Sequence, residues 1–336
     1  MALSDLSIFE EETEGRMMEL LDYNTDLFNQ ASGGGMTLST AAHKGNFSTE
    51  NFWKRLEDLV RRRNPYQDST VPERSLSMGE WTTVKVGAGT NTVRLDQAWM
   101  AWIQRDPVEA AMVMGQNLAE QTINDMVTAG TNAFKAAITP YPDELWNAFD
   151  DTAGPADLLD TAGLWGDRSS QLRSWIMHSA VAYSMWGNNL ENTERLFMYG
   201  DVRIMADPEG RPFIMTDNPV LVIPGDPLAT PAVPTRYDTL GLAAGGINVE
   251  LNSDYRSNME SKNGRTNITD TFQAEWSFQL GLRGMSWDKT AGGVAPTDPA
   301  LATSDNWNKV MESFRDMPGV IMRSNGRARR TQLPIT

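Results

Sequence analysis

The stretch "RDPVEAAMVMGQNLAEQTINDMVTAGTNAFKAAITPYP", residues 105–142, constrains the fold more than any other part of the chain. Asp106 is an N-cap residue type, Pro107 suits the first helical turn, and Glu109 suits the positive end of the dipole. Apolar side chains then recur at Val108, Ala111, Met112, Leu118, Ile123, Met126, Val127, Phe134 and Ile138. Pro140 and Pro142 stop the pattern. The spacing predicts one helix over residues 107–138, about 48 Å long at 1.5 Å per residue. Gly115 and Gly130 stand against it, since each is a poor helix former. A helix this far above the usual three or four turns is scaffolding for something larger than a compact globule.

Around it the elements are mixed. Residues 8–30 read as an amphipathic helix with Ile8, Leu20, Leu21, Leu27 and Phe28 among its apolar positions, ended by a hinge at Gly33–Gly35. A second helix is predicted over residues 49–62 with Ser48 as N-cap, although Asn51 leaves the capping box incomplete. Residues 69–95 carry Leu76, Met78, Trp81, Val84, Val86, Val93 and Leu95 among polar neighbours, and "GAGTN" breaks them into a pair of strands. That ribbon is too polar for a core element, and a two-stranded ribbon is marginal alone in water, so it needs something to lie on.

Beyond residue 146 helices and strands alternate. Helices are expected at "ADLLDTAGLW", "DRSSQL" and "SAVAYSMWGNNL", the last capped by Ser179. Strands are expected at "RSWIMH", "RPFIMTDNPVLVIPG" and, as a strand pair, "YDTLGLAAGGINVEL". Residues 266–288 read as a long strand with Phe272, Ala274, Trp276, Phe278 and Leu280 on one face. The remainder reads as a tail with a short helix near residues 306–315, and no internal repeat is visible.

Little chemistry can be written for this chain. It has no cysteine and only His43 and His178, which argues against redox pairs, thiolate sites and histidine-rich metal centres. No phosphate loop, nucleophile elbow or metalloprotease motif occurs. Asp167, Ser170 and His178 resemble a triad in composition only, because nothing in a helix–strand unit arranges them around one imidazole. Asp150–Asp151 and Asp157–Asp160 are explained by solvation and capping. The eleven tryptophans, among them Trp99, Trp102, Trp165, Trp175, Trp186, Trp276 and Trp287 at apolar positions, point to packing. Neither a catalytic residue, a cofactor nor a metal is expected.

Charge is the remaining signal. Twenty-nine Lys and Arg against 44 acids leave a net charge of −15, the wrong sign for a chain that grips nucleic acid. The first residues lack the pattern of a signal peptide, and no apolar run reaches the length of a membrane span. Residues 1–26 hold eight acids, including Glu10, Glu11 and Glu12, and one base. Arg61, Arg62 and Arg63 form a basic knot, and residues 318–336 hold Arg323, Arg327, Arg329 and Arg330 without an acid. Such runs are solvated faces or arms that reach neighbouring subunits of opposite charge.

Several stretches resemble a known family: "LFNQASGGGMTLSTAAHKGNFS", "LVRRRNPY", "VKVGAGTNTVRLDQAWMAWIQRDP", "GDRSSQLRSWIMHS", "FIMTDNPV" and "TFQAEWSFQLGLRGMSWDKTAGGVAPTDPAL". They are similar to the major capsid proteins of tailed double-stranded DNA bacteriophages, of the HK97-like fold, and most closely to those of the epsilon15 and Bordetella-phage kind. The resemblance implies an α+β chain divided into an N-arm (1–45), a helix (46–66) leading to an extended β-hairpin E-loop (67–97), a P domain with the spine helix (98–145), an A domain (146–253), and a P-domain return strand with C-terminal tail (254–336). It implies hexamers and pentamers of this chain closing an icosahedral head around DNA that is enclosed without specific binding. A separate scaffolding protein, a portal and a cement or decoration protein are the further partners, with no membrane.

The location so implied is the virion, after assembly in the host cytoplasm. Expected intersubunit contacts are Glu10, Glu11, Glu12, Arg61, Arg62, Arg63, Trp81, Lys85, Arg94, Arg323, Arg327, Arg329 and Arg330. Lys85 lies on the ribbon, but no motif beside it supports the isopeptide cross-link of the type member. An encapsulin-like compartment shell on the same fold, and a glycan-binding or glycoside-acting protein, are the alternatives.

Overall fold

The computed structural model describes residues 3–40, 45–54, 59–68, 70–186, 195–199, 202–206, 211–226, 228–229, 233–263 and 268–325. Three helices organise one side of it: α1 (Leu3–Ala31), α2 (Gln97–Arg105) and α3 (Pro107–Ile138). The long helix has the predicted bounds, and the Asp106 side chain accepts a hydrogen bond from the Glu109 N–H at 3.0 Å. α2 was not foreseen. It joins α3 through the Trp102 indole, which donates to Glu109 at 3.1 Å.

The predicted acidic helix is α1, and its inner face is buried. Phe9, Thr13, Met17, Leu21 and Phe28 recur at helical spacing and are inaccessible. Each large apolar side chain so covered contributes about 1.5–3 kcal/mol. Gly115 explains itself at this contact. A Cβ there would lie 3.0 Å from the Thr13 carbonyl oxygen and 3.2 Å from the Met17 nitrogen, so α1 and α3 meet backbone to backbone.

Two sheets complete the fold. Among the described residues the first has nine strands: β1 (Met36–Thr40), β2 (Phe47–Trp53), β3 (Met78–Gly89), β4 (Val93–Leu95), β12 (Ile247–Leu251), β13 (Arg256–Lys262), β14 (Thr269–Leu282), β15 (Met285–Trp287) and β16 (Trp307–Lys309). β14 is its axis. It pairs antiparallel with β12, β13, β3 and β4, and Phe272, Ala274, Trp276, Phe278 and Leu280 are all buried as their alternation requires.

The second sheet runs β5 (Trp146–Thr152), β17 (Gly319–Asn325), β11 (Arg236–Ala243), β6 (Leu172–Met177), β9 (Pro212–Met215), β8 (Val202–Ala206) and β7 (Arg195–Tyr199), with β10 (Val222–Ile223) beside β11. Short helices α4 (Pro142–Leu145), α5 (Pro155–Ala162), α6 (Ser179–Trp186) and α7 (Asp298–Leu301) fill the connections. The turn after α1 sits where the sheets meet: Gly33 and Gly34 have φ of 64° and 75°, and the Gly34 carbonyl accepts from Gly245 N–H at 2.7 Å.

Several expectations are corrected. Residues 49–53 of the predicted second helix, with Ser48 its expected cap, belong to strand β2, registered Phe47–Val84 through Trp53–Met78 against β3. A distant strand supplies backbone partners there, and Phe, Thr and Trp suit a pleated surface, so tertiary pairing overrides local helix spacing. Residues 55–58 of that prediction lie outside the described residues. The 69–95 stretch does not fold on itself: β3 and β4 both pair with β14, and Val84, Val86 and Leu95 are buried.

β11 and β12 are not a pair but belong to different sheets. No helix spans residues 306–315; that segment holds β16 and short 3-10 turns, with the Trp307 ring edge-on to Trp287 at 4.9 Å. Part of the supposed tail is β17, whose Val320, Ile321 and Met322 are fully buried between β5 and β11. α6 is capped by His178 rather than Ser179: the His178 Nδ1 accepts from Ala180 N–H at 3.1 Å.

Candidate interaction surfaces

The three residues that resembled a triad go to different partners. Asp167 receives the Arg315 guanidinium at 3.0 Å, Ser170 is exposed, and His178 faces Asp217 at 3.6 Å and the Tyr237 ring at 5.0 Å. Burial lowers the His178 imidazole below its ordinary 6.5, and Asp217 offsets this only in part. Asp157 accepts from Gly154 N–H at 2.7 Å, and Asp150 receives Arg236 at 2.9 Å. Among the described residues no group of three or more His, Cys, Asp or Glu could hold a metal ion, and no helix is long and apolar enough to cross a membrane. His43 lies outside the described residues.

The tryptophans do not line a groove. Trp165, Trp175, Trp186, Trp276, Trp287 and Trp307 are buried, and Trp99 and Trp102 pack against each other at 5.1 Å with rings tilted by 44°. Trp53 is different: it is 63% exposed, at the outer end of β2. It begins a run of large apolar side chains left in solvent, comprising Leu59, Val60, Tyr66, Val71, Leu76 and Met78. Sequence reading passed over most of these because they follow no helix or strand period. Their signal was the absence of a period beside a long apolar count.

The geometry explains the exposure. Among the described residues β3 pairs with β14 from Val84 to Gly89 and with β2 from Met78 to Val84, and its Thr82 N–H donates to the Ser286 hydroxyl of β15 at 3.1 Å. The ribbon thus stays against the body as far as Trp81–Thr83, where Gln279 also donates to the Thr83 hydroxyl at 2.7 Å, and residues 59–68 and 70–77 follow from its end. Arg61, Arg62 and Arg63 are exposed on that segment. An exposed apolar run next to concentrated like charge marks an interaction surface more than a solvated loop.

The other expected contact residues divide. Trp81 is half-buried, with an indole N–H that has no partner. Lys85 lies where the ribbon joins the sheet, and its Nζ donates to Asp254 at 2.7 Å. Burial would raise the Asp254 carboxyl, but the bonds from Lys85 and Ser277 outweigh it and hold that carboxyl below the usual range. Arg94 is exposed, 3.8 Å from Asp96. Glu11 and Glu12 are exposed on the outer face of α1, and Glu10 is half-buried.

Arg323 is engaged within its own chain. With Lys135 it clasps the fully buried Asp238, at 2.7 Å and 2.8 Å, and it stacks 4.3 Å over the Trp146 ring. Lys135 also donates to the Val220 carbonyl. Arg327, Arg329 and Arg330 lie outside the described residues.

Comparison with known proteins identifies what carries such a surface. No curated protein matches the chain. Among solved structures it is similar to the capsid of Ralstonia phage GP4, at 8% identity and TM-score 0.46, covering 89% of each chain. It is likewise similar to the capsid asymmetric unit of cyanophage Pam1, at 8% identity and TM-score 0.48 over 87% of this chain and 88% of that one. For Mycobacterium phage Bobi the values are 10% and 0.47 over 86% and 89%. A family model described as Gp13-like, major capsid protein 13-like, matches residues 5–321, nearly the whole described body with both sheets and the ribbon. Matched over most of its length, the chain belongs to the Gp13-like family of major capsid proteins.

Proposed function

We propose that the protein is the head-shell subunit of a tailed double-stranded DNA bacteriophage, assembling as hexamers and pentamers into an icosahedral shell of the HK97-like kind. In that reading α1 and the turn after it belong to the N-arm, the β2–β3 ribbon with its connecting segment is the E-loop, and α3 is the spine of the P domain. The segment from β5 to β12 is the A domain, and β14 returns the chain to the P domain. The stretches that resemble the epsilon15 and Bordetella-phage shell proteins support the same division. Glu10, Glu11, Glu12, Arg61, Arg62, Arg63, Trp81 and Arg94 face neighbouring subunits, and Arg327, Arg329 and Arg330 extend toward them.

The observation that carries this reading is the ribbon's uncovered apolar run, with Val60 94% and Tyr66 97% exposed. A monomer has no use for that surface, whereas a closed shell supplies a neighbour for every copy. A separate scaffolding protein directs assembly, a portal occupies one vertex and a cement protein stabilises the shell. The charge of −15 suits a wall that encloses DNA without gripping it. The site of action is the virion, after assembly in the host cytoplasm. Negative-stain microscopy of the protein, expressed alone and with a scaffolding protein, tests the proposal. Closed particles are expected in at least one case, and persistent monomers in both would overturn it.

A further inference from the structure

Between the middle of α3 and the inner end of β3 lies a cavity of about 710 Å³. Met114, Leu118, Gln121 and Asp125 of α3, Trp276 of β14 and Asp298 of α7 are among its walls. Two of these groups lack what their chemistry asks for. Trp276 is 8% exposed, and its buried Nε1–H has no acceptor among the described residues. Asp125 has no ion-pair partner among the described residues, while Asp298 brings a second carboxyl to the same space. Burial, and then the nearby Asp298, push the Asp125 carboxyl up to about 6, as befits a carboxylate awaiting a cation.

A partly apolar wall with two carboxyls and a spare N–H suits a cation on an apolar stem, carried by a backbone whose carbonyl can accept. A peptide arginine meets each requirement: its planar guanidinium pairs with carboxylates and its methylenes pack on apolar surface. The chain itself carries such a segment. Leu59 and Val60 are 63% and 94% exposed, and Arg61, Arg62 and Arg63 follow them in solvent. In the same copy that segment leaves from the far end of the ribbon. Gly87 lines the cavity and Met78 is nine residues along an extended strand, about 30 Å away at 3.3 Å per residue.

We propose that this cavity receives residues 59–63 of a second copy of the chain, one arginine pairing with Asp125 and Asp298 and a main-chain carbonyl accepting from Trp276. The inference deepens the shell reading and rests on it. Charge complementarity selects the occupant, since the cavity is acidic and the segment is the basic knot of the sequence.

The absence of cysteine makes the contact directly testable. One population of chains carries Gln121→Cys on the cavity rim and another carries Arg62→Cys; the two are co-assembled with scaffolding protein and oxidised mildly. Mixed disulfide dimers are expected from particles containing both variants, cleared by reductant and absent from particles of either variant alone. Intact mixed particles without the mixed dimer would overturn the inference and leave the shell reading standing. Failure of the unsubstituted chain to form particles would sink the shell reading, and the inference with it. Should Arg62→Cys block assembly, Val60→Cys takes its place with the same two outcomes.

Discussion

Two glycines in helices show how far a single residue depends on its surroundings. Gly15 lies in α1 with nothing within 4 Å of the space a Cβ would take, whereas Gly115 lies in α3 against the backbone of α1. Gly15→Ala should stabilise the subunit by about 0.5–1 kcal/mol, the ordinary helix-propensity gain. Gly115→Ala should destabilise it by about 1–3 kcal/mol, because α1 must move away. Urea unfolding of the two variants checks the opposite signs. Asp238 is the other decisive residue. It is fully buried between Lys135 and Arg323, so Asp238→Asn strands two cations and should cost about 3–5 kcal/mol in the same assay.

At the scale of elements, the body and the ribbon answer to different partners. α1, α3 and β14 bury continuous apolar faces within the chain, whereas the segment between Trp53 and Met78 adds exposed apolar surface to it. Those two residues face each other across the end of the ribbon, so an Asn-Gly turn can replace everything between them. The shortened chain should keep the melting temperature of the full chain within a few degrees, read by circular dichroism. It should form no particles by sedimentation. Lys85 belongs to the body in this sense: its ammonium is held by Asp254 at 2.7 Å. Denaturing, reducing gels of assembled particles should therefore show monomer alone, and a ladder of covalent multimers would contradict the assignment.

At the scale of the whole molecule, Asp125 makes stability depend measurably on pH. Its folded carboxyl titrates near 6 against an ordinary 3.8. The folded chain then binds this proton more tightly than the unfolded chain, so the contribution of Asp125 to stability is fully present below about pH 4 and is lost as pH rises through 6. Asp125→Asn should thus stabilise the isolated subunit by about 1–3 kcal/mol at pH 7. That gain should vanish near pH 4, in urea titrations at the two pH values. If the cavity serves a second copy, the same variant should lower particle yield at pH 7 while raising monomer stability.

The sequence by itself determined whatever rests on neighbours within one or two turns. The 107–138 helix was legible because its cap, dipole residues and terminal prolines are local, and β14 because its apolar alternation runs unbroken from Phe272 to Leu282. That no thiolate or histidine-rich centre can be built was legible in two histidines and no cysteine. Tertiary structure alone decided the rest. β2 needed β3 across 24 intervening residues, and β17 hid a four-residue apolar run, "GVIM", in a stretch that composition assigned to a tail. The cavity draws its walls from residues 86 to 298, and no spacing rule joins carboxyls on α3 and α7 to an indole on β14. Short-range periodicity encodes which face an element buries. Which other element covers that face, and which face no element covers, depends on contacts distant in the chain.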